Sequence, residues 1–135
     1  MLLPIALCVV AIAAVGVYFQ HALSVRDRQL PEEAGQSRLF EEHCGARVER
    51  GRNFTAPFVR LTVYEEFLVV NCLDYRRSIR YEDIGHLSDV RTVLGRGLEL
   101  AVRDPEAPTV TLWVRDVKRV RREISAAAKR HDRVV

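Results

Sequence analysis

Few reactive side chains in this 135-residue chain fall at spacings that chemistry needs. His43 and Cys44 are adjacent, so in an extended chain they point to opposite faces. A metal site using them would need His86 or a ligand from elsewhere. Glu41–Glu42, Glu65–Glu66 and Glu82–Asp83 are acidic pairs. Consecutive carboxylates on a strand or turn do not converge on one substrate atom, which leaves acid–base catalysis without its pair. Gly95–Arg96–Gly97 lacks the third glycine of a dinucleotide fingerprint and reads as a turn. No serine elbow, P-loop or HExxH motif is present. The expectation is therefore a non-enzymatic chain without a catalytic, cofactor-binding or metal site.

One charged feature is concentrated enough to weigh. Lys118, Arg119, Arg121, Arg122, Lys129, Arg130 and Arg133 crowd the C-terminal stretch, against Asp116, Glu123 and Asp132. Such a run is ordinarily the solvated face of an amphipathic helix. Beside an anionic leaflet it would instead gain up to about 1 kcal/mol for each basic residue that reaches the surface. Arg119, Arg122 and Lys129 are the candidate contacts, because they lie away from the apolar face on a helical projection. Nucleic acid is not an expected partner. The net charge of +3 is small, and no groove-reading motif is present.

The element that must position all of this is Leu2–Phe19, eighteen residues without a charge. As a helix it is about 27 Å long, close to the hydrocarbon thickness of a bilayer. Ten of its residues are Leu, Ile, Val or Phe. At about 0.3–0.6 kcal/mol each they favour insertion by about 3–6 kcal/mol. A cleaved signal peptide would need a basic start, which is missing. The reading is a retained single-pass anchor, residues 1–25 with its exit, in an inner or plasma membrane. Arg26 and Arg28 follow it and nothing basic precedes it, so the C-terminal portion is placed in the cytoplasm. Cys8, Cys44 and Cys72 form no paired spacing, in keeping with a reducing compartment.

After the anchor the expected order is a juxtamembrane linker (26–44), one domain (45–131) and a short tail (132–135). Helix should continue through Gln20–Leu30 until Pro31, with one further helical turn at Ser37–Glu42. From Ala46 the hydrophobic period becomes two. Val59, Leu61 and Val63 share a face, as do Leu68, Val70 and Cys72; Ile79 and Tyr81; Leu98, Leu100 and Val102; and Val110, Leu112 and Val114. This alternation predicts half-buried antiparallel strands, with weaker ones at Arg47–Arg50 and Gly85–Val93. The period then returns to helical. Val117, Val120, Ile124 and Ala127 form one face, and Asp116 is the N-cap.

A string of about seven short strands closed by one amphipathic helix resembles the pleckstrin-homology-like fold. More narrowly, it is similar to the bacterial PH-like domains found on small membrane-anchored proteins. The carrying residues are PFVRLTVYEEFLVV at 57–70, RSIRYEDI at 77–84, GRGLEL at 95–100 and the helix after Asp116. The expected fold class is α+β and mostly β, an N-terminal transmembrane helix before a PH-like antiparallel sandwich or barrel with a C-terminal helix. The resemblance implies a recognition platform for a protein partner or anionic lipid headgroups. The alternative is an accessory subunit of a larger membrane complex, held through Ala6, Ala13 and Gly16 on the anchor.

Overall fold

The computed structural model describes residues 1–48, 51–107 and 109–134. Helix α1 spans Leu2–Asp27 and is followed by a single 3-10 turn, Pro31–Glu33. The strands are β1 (Phe40–Val48), β2 (Arg52–Val63), β3 (Phe67–Asn71), β4 (Arg76–Arg80), β5 (Ile84–Thr92), β6 (Gly95–Val102) and β7 (Val110–Trp113). A second 3-10 turn, Tyr81–Asp83, lies between β4 and β5, and helix α2 spans Val117–Val134.

The strands form one antiparallel sheet in the order β4-β3-β2-β1-β7-β6-β5. Pairing of β7 with β1 curls the sheet into a half-barrel with its apolar face inside. The alternating residues named from the sequence line that interior. Val59, Leu61, Val63, Leu68, Val70, Leu98, Leu100, Val110 and Leu112 are all fully buried. Helix α2 covers the interior with Val120, Ile124 and Ala127, which reach zero exposure. Gly45 sits at a register shift between β1 and β2, where a Cβ would stand 2.8 Å from the Phe54 carbonyl.

Three local expectations are corrected. Helix α1 stops at Asp27 rather than Leu30, because its last carbonyls are taken by side chains of the sheet. Ser37–Glu42 does not form a helical turn; β1 begins at Phe40. The stretch 26–44 is not a free linker either. Arg26, Leu30 and Glu33 are buried, and β1 already occupies its last residues.

The burial of that stretch adds a second layer. Residues Arg60, Thr62 and Tyr64 of β2 and its turn, with Phe67, Val69 and Asn71 of β3, point away from the barrel interior, yet all are buried. Leu30 packs with Tyr64, Phe67 and Val69 in a small apolar cluster. Strand β3 is thus covered on both faces.

Candidate functional site

The second layer is organised by one ion pair. Arg60 and Glu33 are 4% and 1% exposed, and Arg60 Nη1 donates to Glu33 Oε1 at 2.6 Å. Arg60 Nη2 reaches the other carboxylate oxygen at 3.0 Å, a bidentate pairing. Glu33 also accepts from the Tyr64 hydroxyl at 2.7 Å and from the Leu30 amide at 2.5 Å. Burial alone would raise the Glu33 carboxyl, but these hydrogen bonds and the charge of Arg60 hold it below its usual range. Burial, followed by the hydrogen bond and charge of Glu33, pushes the Tyr64 phenol up to about 12.

The same arginine grips the end of α1. The last carbonyls of a helix have no intrahelical donor. Arg60 Nε donates to the Arg26 carbonyl at 2.9 Å and Nη2 to the Arg28 carbonyl at 3.2 Å. Asn71 Nδ2 lies 3.0, 2.8 and 2.9 Å from the carbonyls of Val25, Arg26 and Arg28. Arg26 returns a hydrogen bond to the Pro57 carbonyl at 2.8 Å, and Phe19 stacks on Phe58 with centroids 5.2 Å apart. The end of α1 is therefore clamped to β2 and β3 by buried polar contacts at separations of 34 to 46 residues. Above the clamp, residues 1–21 are exposed on every side. The helix is long and apolar enough to cross a membrane.

The basic residues of α2 split into two groups. Arg119, Arg122 and Lys129 are all exposed. The Arg119 guanidinium, however, lies over the Phe40 ring at 5.4 Å, tied to β1. Arg122 and Lys129 project outward with Lys118, within about 40° of one another at 100° per residue. Arg121 turns toward β5, where it meets Asp89 at 3.4 Å.

The structure does not gather the metal candidates. The His43 ring lies near Asp27 and Glu41, at 3.8 and 3.9 Å, whereas His86 lies near Glu99 at 3.9 Å. The Cys44 side chain is buried on the opposite face from His43, and burial, with the charge of Glu42, pushes its thiol up to about 12. Such a thiol is no nucleophile at neutral pH.

Sequence reasoning missed Arg60, Glu33, Tyr64 and Asn71. One signal was available, since Phe67–Asn71 reads FLVVN with no polar residue until Asn71, as strands covered on both faces do.

No protein-family model and no curated protein matches the chain. Solved structures do match. The C-terminal domain of an unknown protein from Leishmania infantum superposes with a TM-score of 0.60 at 16% identity, covering 85% of this chain and 97% of that one. The Vps36 N-terminal PH domain superposes with a TM-score of 0.53 at 15% identity, covering 84% of this chain and 90% of that one. With seven curled antiparallel strands closed by α2, the likeness establishes that the chain carries a pleckstrin-homology-like fold.

Proposed function

We propose that the chain is a non-enzymatic binding or scaffold module, held at a membrane by α1 and presenting its PH-like fold on the cytoplasmic side. The observation that carries this reading is the clamp between Arg60, Glu33, Asn71 and the end of α1. A leader destined for removal has no need of buried contacts to the body of the protein. These contacts fix the pose of the domain against the helix, which suits a platform that must offer one face to its partner. Placement of the domain in the cytoplasm rests on Arg26 and Arg28, which follow the apolar run. The outward residues Lys118, Arg122 and Lys129 supply a basic face for anionic headgroups or an acidic protein.

Carbonate extraction of membranes, followed by intact mass measurement, tests the anchor. The expected result is a membrane-retained chain that still carries residues 1–25. A soluble form shortened by about twenty residues would overturn the reading, since that is where a signal peptide would be cut.

An accessory subunit packed in a larger membrane complex is the second reading. It is favoured by Ala6, Ala13 and Gly16, spaced to share one face of α1, with open space around Gly16. Exchanging Leu2–Phe19 for an unrelated apolar span separates the two. Partners that stay with the domain support the platform, and partners lost with the native span support the subunit.

A further inference from the structure

Among the described residues after α1, the most exposed large apolar side chains sit together at the turn between β5 and β6. Val93 is 100% exposed and Leu94 62%. The turn is not loose. The Thr92 hydroxyl donates to the Gly95 carbonyl at 3.0 Å and accepts from the Leu94 amide at 3.3 Å and from Trp113 Nε1 at 3.0 Å. One donor and two acceptor positions of that hydroxyl are thus all in use. The fold builds a firm hairpin and places two aliphatic side chains in water at its tip.

The charges behind the tip are equally unusual. Arg91 and Arg96 stand directly opposite each other across the hairpin. Like charges at such a pair repel, and a bound anion would relieve them. Arg91 and Arg96 also line a groove with Arg115 and Lys118 at the start of α2. Two acids share the groove, but both are engaged. Asp89 meets Arg121, and Asp116 accepts from the Arg119 amide at 3.1 Å. Among the described residues none of Arg91, Arg96, Arg115 and Lys118 has an ion-pair partner.

The hairpin is also tied across the sheet to the start of β2. Thr92 bonds Trp113, Arg47 lies over the Trp113 ring at 5.7 Å, and Arg47 Nε donates to Asn53 at 2.9 Å near the start of β2. From its clamp at Arg60, α1 runs back along β2 to Phe58.

We infer that the β5–β6 hairpin is a membrane-contact element. Val93 and Leu94 enter the headgroup region of the bilayer, and Arg91, Arg96, Arg115 and Lys118 hold anionic phospholipid headgroups behind them. This rests on the anchored reading above. An apolar tip backed by cations matches the layering of an anionic leaflet, with hydrocarbon beneath phosphate.

The full chain tests it, with Cys8→Ser and Leu94→Cys substitutions and a polarity-sensitive fluorophore on the thiol so introduced at the tip. Cys44 and Cys72 are buried and should stay unlabelled. The protein is reconstituted into vesicles of phosphatidylcholine, with or without phosphatidylserine. The expected result is blue-shifted emission in phosphatidylserine vesicles, largely reversed by Arg91→Glu with Arg96→Glu. The same label at position 106 through Glu106→Cys, an exposed site in the β6–β7 loop, should report water throughout. Emission from position 94 that reports water in both lipids would overturn the inference and leave the tip to a protein partner. A shift equal in both lipids, unmoved by the arginine changes, would overturn the headgroup role of the cations. Flotation of each sample keeps the two readings apart. Chains that float with a water-exposed label refute the tip alone, and chains that fail to float refute the anchor.

Discussion

Arg60 is one side chain serving two connections, to Glu33 and to the end of α1. Removing Glu33 leaves that guanidinium buried without its counter-ion. Glu33→Ala should therefore cost about 3–5 kcal/mol, read from the thermal midpoint of the full chain in detergent. Replacing both partners by aliphatic residues should cost much less, because no buried charge is then stranded. The pair also sets two pH windows. Glu33 titrates lower in the folded chain than in the unfolded one. Its contribution is complete above the unfolded carboxylate range and is lost as pH falls through the depressed folded value. Tyr64 behaves in the opposite sense, with a folded value of about 12. Its contribution is complete below about pH 10, the unfolded phenol value, and is lost between there and about 12. Glu33→Gln should flatten the acid limb of a melting-midpoint profile while the alkaline limb persists.

Among the larger elements, α2 and β6 contribute Ile124 and Leu100 to one core. Truncating either to Ala should cost about 2–5 kcal/mol, measured in the same melting experiment. The outward face of α2 carries a separate expectation. If it meets an anionic leaflet, amine acylation at Lys129 should slow when nanodiscs contain phosphatidylserine, and salt should restore the rate. Arg119 is expected to contribute less to that contact than Arg122, because its guanidinium is held over Phe40. An acylation rate indifferent to lipid charge would leave this face as ordinary solvated surface.

Taken together, the clamp makes the helix and the barrel one body from about Ala22 onward. The stretch 28–35 should consequently resist proteases in the full chain, although its sequence looks like an exposed linker. Arg60→Leu together with Asn71→Leu should open it to cleavage while the barrel core persists. Cleavage as slow as in the wild type would show that Leu30 and its apolar cluster hold the segment unaided.

Local pattern along the chain was enough to specify the α1 span, the inner faces of the strands and the inner face of α2. Each of these is written in a period of 2 or 3.6 residues that burial on one side imposes. Local pattern erred by one step at Gly95–Gly97, which reads as a turn but opens β6; the turn is Val93–Leu94, and the Gly95 φ of +115° closes it. The spacing of His43, Cys44 and His86 showed that no local metal motif is present. What covers the outer faces of β2 and β3 was settled by packing instead. Arg60 and Thr62 look like solvent-facing residues of an alternating strand, and they are buried because Glu33 arrives from 27 residues away. Such pairing has no period and leaves no local mark. The basic residues illustrate the same limit. Composition counted them, but only the hairpin register set Arg91 against Arg96, and only packing tied Arg119 to Phe40 while leaving Lys118 at the groove. A charge becomes a site through what stands opposite it, and in this chain the opposing groups come from other strands.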